Sequence, residues 1–496
     1  MKHLYILKSV YNSVLFTFEI DSIISDSKEN EVTVLFCDGC VNRCNDNVFG
    51  LRLLCSECKK RTLAVLDSIP NIKILKASNF FDSDLKYKKY NYNSLGELNK
   101  IQYNGFEIGY GVSSYYISLT RNLNPDITPK LKKLLDVWLE NSMKYSDIAN
   151  KVITKDYDMV YVPNGRIFDA KPFQEVAFAK GIPVILGECA TNMQGQYVRM
   201  NFDNVRVHSV EGNSRNINTF WNSSNIPIDE RRKIAASFFE KRSNAIKTND
   251  KVYVKNQEKG LLPANWNEHK KNIAIFNSSE DEFAAIGGDY EIGNLFDSQL
   301  SGIKYVLENT KDPSIHFYLR IHPNLMNIKY KYHTDLYKLP EQYNNVTVIP
   351  GNSPVSSYTL MSSCDRVITF GSTMGIEAAY AGKPAMVLHT CFYSYLGVNF
   401  VPKTLNEVVD FIYGKINFEP IRENVLKYSY YYFNDERGFV DNIKCKMNPY
   451  PIQLGKRTIT FYCMNLACSN LRMKYFTYLG LFGVVMAKLF VPRKEK

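Results

Sequence analysis

The chain has 496 residues, 45% hydrophobic and 22% charged, which suits two or three globular domains with ample core. Met1–Val10 holds no uninterrupted apolar h-region, so the sequence reads as cytoplasmic and its eleven cysteines as thiols or metal ligands rather than disulfides. The formal net charge is +11, yet residues 444–496 carry ten Lys/Arg against the single acid Glu495, and no nucleic-acid-binding motif accompanies them.

In chain order, Val14–Ile20, which carries Glu19, reads as a strand, and so does Val32–Phe36. Next come Cys37, Cys40, Cys44, Cys55 and Cys58, spaced C-x2-C-x3-C-x10-C-x2-C. Paired C-x2-C units can aim four thiolates at one tetrahedral ion. Cys37, Cys40, Cys55 and Cys58 are thus candidate ligands of a structural zinc, with Cys44 as a spare. Reduced core cysteines are the alternative. Asp82-Ser83-Asp84 imitates a metal-binding DxD but lacks a strand-to-loop context, so no metal is expected in catalysis. The glycine-rich Gly105–Ser114 matches neither a Walker A nor a dinucleotide fingerprint.

Pro129–Met143 and Pro172–Lys180 carry helical patterns, and Met159–Val162 and Pro183–Leu186 read as strands. Residues 229–250 read as a charged amphipathic helix, and 251–270, with Pro263 and Trp266, as a linker. The resulting division is an N-terminal domain over 1–250 with the cysteine-rich segment 37–58, a linker over 251–270, a C-terminal domain over 271–440, and a basic apolar tail over 441–496.

The second half offers three strand ends with small polar groups. Ile273–Phe276 runs into Asn277-Ser278-Ser279 and then Glu280-Asp281-Glu282. Phe317–Pro323 is an apolar strand ending in Arg320-Ile321-His322-Pro323. Val367–Leu388 reads as strand, Gly371-Ser372-Thr373 turn, short helix with Glu377, Ala-Gly-Lys-Pro break and second strand. Ligands in open α/β sheets bind beyond the carboxyl ends of the strands, where hydroxyls and free N–H groups suit a phosphorylated ligand. Read singly, each is an ordinary βα turn; together they describe one crevice.

The segments FNSSEDEF, LRIHPN and FGSTMGIEAAYAGKPAMVL, with VPNGRIFDAKPFQEVAFAKGIPVILGE (Val162–Glu188), resemble the capsular polysaccharide biosynthesis glycosyltransferases, including Kdo transferases of capsule export systems. The resemblance spans roughly residues 100–390. It implies a GT-B fold: α/β, two Rossmann-like domains with an interdomain cleft. The His-Pro pair is shared with bacterial transferases that use cytidine nucleotides, which points to a CMP-linked sugar donor. On that reading His322, Pro323, Ser278, Ser279, Glu282, Gly371, Ser372, Thr373, Glu377 and Arg320 bind the donor.

An inverting transferase needs an acceptor-activating base. Glu188, Asp169 and Glu107 are the candidates, with His208 also considered. Asn164 and Arg166 are candidate acceptor contacts, since a guanidinium pairs well with an anionic sugar or diphosphate. The acceptor is expected to be a saccharide or a lipid-linked saccharide. The tail's apolar Tyr475–Ala487, flanked by basic residues, suits docking on an anionic leaflet, which places the protein peripherally on the inner membrane face. Alternatives are a CDP-polyol phosphotransferase, a sugar-nucleotide epimerase, or a non-catalytic scaffold of capsule assembly.

Overall fold

The computed structural model describes the chain apart from residues 8, 11–12, 42, 83, 192–196, 245, 247–255, 435–442, 455–456, 469–470 and 476–496. For residues 13, 190–191, 197–198 and the strands within 443–475 it describes the backbone alone. Two compact units emerge, with a boundary between Val207 and His208.

The first unit is a six-stranded sheet built from β1 (Lys2–Leu7), β2 (Glu31–Phe36), β3 (Ile72–Lys76), β4 (Met159–Pro163), β5 (Val184–Thr191) and β6 (Tyr197–Asp203), in the order β3-β2-β1-β4-β5-β6. The pairings of β1 with β2 and β4, of β2 with β3 and of β4 with β5 are parallel. In β1 and β2 every residue after the first is buried, as expected when helices cover both faces of a parallel sheet. The second unit repeats the plan with five strands: β7 (Lys271–Phe276), β8 (Ile315–Arg320), β9 (Val346–Ile349), β10 (Arg366–Thr369) and β11 (Ala385–Val387), ordered β9-β8-β7-β10-β11 and parallel throughout. Both sheets are Rossmann-like, and the fold is the expected α/β class. Strand order reverses between β1 and β4 in one unit and between β7 and β10 in the other, which sets a ligand-binding crevice at each reversal.

Several expectations change. Val14–Ile20 is helical, inside Ser13–Asp26. Its aromatic and β-branched residues favour a strand locally, but the parallel pairing of β1 with β2 demands a crossover, and Phe16, Ile20 and Ile23 fill the core as that crossover's inner face. The helices Val210–Ser223 and Ile228–Ser243 belong to the second unit, so the N-terminal domain ends near 207 rather than 250. Phe238 stacks on Phe433 and Trp221 packs edge-on to Tyr430, which ties both helices to Arg422–Phe433. The described part of the 251–270 linker is built onto the same unit: Trp266 packs on Tyr318 at 4.9 Å, and Leu261 accepts a hydrogen bond from Ser356 N.

Within the expected tail, Ile443–Leu454, Arg457–Cys468 and Leu471–Tyr475 pair as an antiparallel sheet. The apolar run expected at 475–487 lies, beyond its first residue, outside the described residues. No described helix is long and apolar enough to cross a membrane.

Candidate functional site

The crevice of the second unit is built where β7, β8 and β10 end. Asn277, the first residue after β7, accepts the backbone N–H of His322 at 2.8 Å. Ser278 donates its hydroxyl to the Phe370 carbonyl at 2.6 Å. Asn324 Nδ2 donates to Glu282 Oε1 at 3.1 Å. Three strand ends separate in sequence are thus knit into one edge that holds His322, Pro323, Ser278, Ser279, Glu282, Gly371, Ser372 and Thr373. The Asn324 N–H donates to His322 Nδ1 at 3.2 Å, so a neutral ring carries its proton on Nε2.

Gly371 sits at φ +91°, and a Cβ there would lie 3.1 Å from Cys391 Cβ and 3.3 Å from the Phe283 ring. Both backbone conformation and space require glycine at this turn. The following helix, Met374–Tyr380, has seven residues, so its dipole is short and the turn's hydroxyls and amides matter more. The Ser372 carbonyl is held by the Tyr393 hydroxyl and the Gly375 N–H.

Some expected ligand groups are spent inside the protein. Arg320 is 3% exposed, and its guanidinium donates to the Pro350 and Ser353 carbonyls at 2.9 and 3.1 Å. Burial holds it down to about 10. It braces the loop after β9 and does not offer those donors to a nucleotide, which corrects its assignment as a donor contact. Ser278 Oγ also accepts from Gln299 Nε2 at 2.8 Å, and Ser279 Oγ donates to Asp281 at 2.8 Å. Glu377 is 4% exposed and accepts the Tyr358 hydroxyl.

Other residues at this edge escape a sequence reading. Asn277 and Gln299 are ordinary polar residues until folding makes them the clips between strand ends. Glu280 accepts the Gln299 N–H at 3.1 Å, and burial pushes its carboxyl up to about 7. His389 lies beyond the carboxyl end of β11; burial lowers its pKa, and its Nδ1 meets the Thr390 carbonyl at 3.1 Å. The signal for His389 was available, since VLH repeats the strand-then-histidine pattern of LRIH.

In the first unit, Asn164 stands past the end of β4 in a left-handed conformation, φ +63°. Its Nδ2 donates to Glu188 at 2.6 Å, its Oδ1 accepts Arg166 N at 2.9 Å, and Arg166 Nε donates to Ser114 at 2.5 Å. Asn164, Arg166 and Glu188 therefore form one connected cluster at the switch point. Glu188 lies within β5, which runs on to Thr191 instead of stopping at Leu186. Glu107 is elsewhere, 3.9 Å from Lys171 Nζ with its side chain 41% exposed. His208 falls in the second unit, its ring 5.6 Å from Phe392. The glycines of Gly105–Ser114 serve packing: a Cβ on Gly109 would meet the Leu98 carbonyl at 1.8 Å, and one on Gly111 the Phe168 backbone at 2.9 Å.

Asp169 borders a cavity of about 70 Å³ with Cys37, Cys44, Cys55, Cys58 and Tyr145. The thiols meet, but not around a common centre. Cys55 accepts from Asn47 Nδ2 at 3.1 Å, and Cys58 contacts Ser9 Oγ at 3.5 Å. Among the described residues no group of three or more His, Cys, Asp or Glu is placed to hold a metal ion. As arranged, Cys37, Cys40, Cys55 and Cys58 do not fit a tetrahedral zinc, which needs four sulfurs aimed at one point.

Fold and site together define a protein of two doubly wound α/β units whose second unit carries a strand-end crevice of small polar groups. Residues 213–403, which contain that crevice, match the model of the capsule polysaccharide biosynthesis protein family. No curated protein matches the chain. Among solved structures, Thermosulfurimonas dismutans KpsC, a beta Kdo 2,4 transferase, is 16% identical and aligns over 55% of this chain and 80% of its own, with a TM-score of 0.36. The UDP-GlcNAc 2-epimerase of Neisseria meningitidis, bound to UDP-GlcNAc, is 13% identical over 88% and 95% of the two chains, with a TM-score of 0.23. At these scores neither likeness carries an argument about this chain.

Proposed function

We propose that this protein is a GT-B glycosyltransferase of capsule polysaccharide assembly. It takes a sugar from a nucleotide-activated donor, CMP-linked and Kdo-like, and transfers it to a lipid-linked or growing saccharide. The observation that carries this reading is the hydrogen-bonded convergence of the β7, β8 and β10 ends inside the family-matched segment.

In this reading His322 donates from Nε2 to the donor phosphate. Ser372, Thr373 and the amides after Gly371 take up charge as the nucleotide leaves. No metal is required. Glu377, through the oxygen not given to Tyr358, and Glu282 contact the nucleoside, and Ser278 and Ser279 shape the site from behind. Glu188 is the preferred acceptor base, oriented by Asn164, with Arg166 holding an anionic acceptor; Asp169 and Glu107 are the alternatives. The enzyme works at the inner membrane face, where the basic tail holds it against anionic lipid.

Calorimetric titration with CMP, CDP, UDP and GDP tests the donor class. CMP should bind, and His322→Ala should weaken it at least tenfold, about 1.4 kcal/mol, without lowering the melting temperature. Preferential binding of UDP, or undiminished CMP binding by the variant, would overturn the assignment.

A further inference from the structure

In the first unit a groove of about 370 Å³ opens between the segment that follows β3 and the helix Pro129–Val152. That volume falls in the roughly 300–1,000 Å³ range of ligand clefts. One wall is the run Lys86-Tyr87-Lys88-Lys89-Tyr90, and the other begins Lys130-Leu131-Lys132-Lys133. Of these, Tyr87, Lys88, Lys89, Tyr90, Lys132 and Lys133 line the groove. The helix has 24 residues and is about 36 Å long, against about 17 Å for the five residues of β4, into which it leads. Asn141 Nδ2 reaches the carbonyl of Arg43, beyond the carboxyl end of β2, at 3.4 Å. The turns before Asn141 therefore extend past the carboxyl edge of the sheet, the edge at which Asn164, Arg166 and Glu188 lie.

The two walls are fixed to each other and to the unit. Lys132 Nζ donates to the Tyr90 carbonyl at 3.0 Å. The Tyr90 hydroxyl donates to the Gln102 carbonyl at 3.0 Å and the Tyr87 hydroxyl to Asp147 at 2.9 Å, so both rings are held at their hydroxyl ends. The two acids in the groove are already neutralised: Asp136 accepts from Lys132 Nζ at 2.9 Å and from the Tyr92 hydroxyl at 2.8 Å, and Glu140 pairs with Lys144 at 2.6 Å. Lys89 and Lys133 are exposed and have no ion-pair partner among the described residues. Lys130, Lys132 and Lys133 also stand at the positive end of the helix dipole, in a helix whose first turn carries no acid. A cation is unfavourable there and an anion favourable. The charge is thus placed against local stability, as ligand sites often require.

We propose that this groove binds the internal sugars of an anionic saccharide chain. Carboxylates or phosphates of the chain meet Lys88, Lys89 and Lys133, and pyranose rings pack on Tyr87 and Tyr90. The choice of a saccharide rests on the transferase reading above; the charge and ring content of the groove do not. A chain held here lies along the sheet edge that carries the Asn164–Arg166–Glu188 cluster, so a longer acceptor gains affinity from sugars that touch no reacting group.

Calorimetric titration of the full-length protein with hexagalacturonate, which carries a carboxylate on every sugar, tests this against isomaltohexaose, a neutral hexamer. The acidic hexamer should bind, less tightly as salt is added, and the neutral one should not. Replacing two lysines together, Lys89→Ala with Lys133→Ala, should weaken binding about fivefold. Tyr90→Leu should weaken it as well, and Tyr90→Phe should not. Lys155→Ala with Lys259→Ala removes the same charge from exposed positions outside the groove and should leave binding unchanged. In the unaltered chain, hydrogen exchange should slow over residues 85–93 and 129–143 when the hexamer is added. Equal losses for the two lysine pairs, protection confined to the basic tail, or equally tight binding of a single-stranded thymidine oligonucleotide would overturn the proposal. CMP binding without hexamer binding removes the groove alone, and hexamer binding without CMP binding removes the transferase reading alone. If a variant misfolds, the exchange pattern of the unaltered chain decides the matter.

Discussion

Removing the Ser278 hydroxyl separates a structural clip from a ligand contact. In the folded chain this oxygen donates to the Phe370 carbonyl and accepts from the Gln299 amide, at 2.6 and 2.8 Å. Ser278, Phe370 and Gln299 are 4%, 1% and 3% exposed. Ser278→Ala therefore strands two buried polar groups. At about 1–3 kcal/mol for each unsatisfied group, less what a water in the vacated space recovers, the expected loss is roughly 2–4 kcal/mol. Urea unfolding followed by tryptophan fluorescence reads this well, because Trp221 and Trp266 both report on the second unit. With a slope of about 2–3 kcal/mol/M, the midpoint of that unit should fall by about 1 M. Gln299→Ala should cost a similar amount, and the double variant should lose clearly less than the sum. The reasoning is refuted if Ser278→Ala keeps its midpoint and yet loses nucleotide affinity, since the hydroxyl would then be serving the ligand instead of the strand ends.

The Glu280 carboxyl, raised to about 7 by burial, makes stability pH-dependent. The folded state keeps a proton that the unfolded chain releases, so its contribution is full below the ordinary carboxyl range and is lost as pH rises through about 7. The change is of order 1–3 kcal/mol, and Glu280→Gln should flatten it; identical slopes for both proteins between pH 5 and 8 would contradict this. Gly371→Ala forces a left-handed residue against Cys391 and Phe283 and should lower stability by about 1–3 kcal/mol in thermal denaturation, with a near-neutral result ruling out the turn as drawn. Truncation at residue 475 should release the protein from anionic vesicles while leaving neutral-vesicle binding unchanged. Each basic residue removed is worth about 1 kcal/mol near such a surface, and salt should weaken the intact chain's binding; equal binding by both chains, at low and high salt, would place the contact elsewhere.

The sequence by itself determined the two α/β halves and the three strand ends of the candidate site. Buried parallel strands are short apolar runs, and the turns after them carry Gly, Ser and Asn for local reasons that a reader can recognise. Sequence also showed that five cysteines crowd into one short segment. Tertiary structure alone decided what those residues do. Phe16 and Ile20 are helical because two parallel strands need a crossover between them, a demand set by pairing partners elsewhere in the chain. Arg320 turns to the loop after β9, and Ser278 is taken by Phe370 and Gln299, because the carbonyls and amides that claim them lie 21 to 92 residues away. The helices from Val210 to Ser243 join the second unit because their aromatic partners, Tyr430 and Phe433, come near its end. The cysteine spacing suited a metal, but where each sulfur points depends on Gly39, Asn47 and Ser9. Composition and spacing fix which groups are present; their direction is set by long-range contacts that no local pattern encodes.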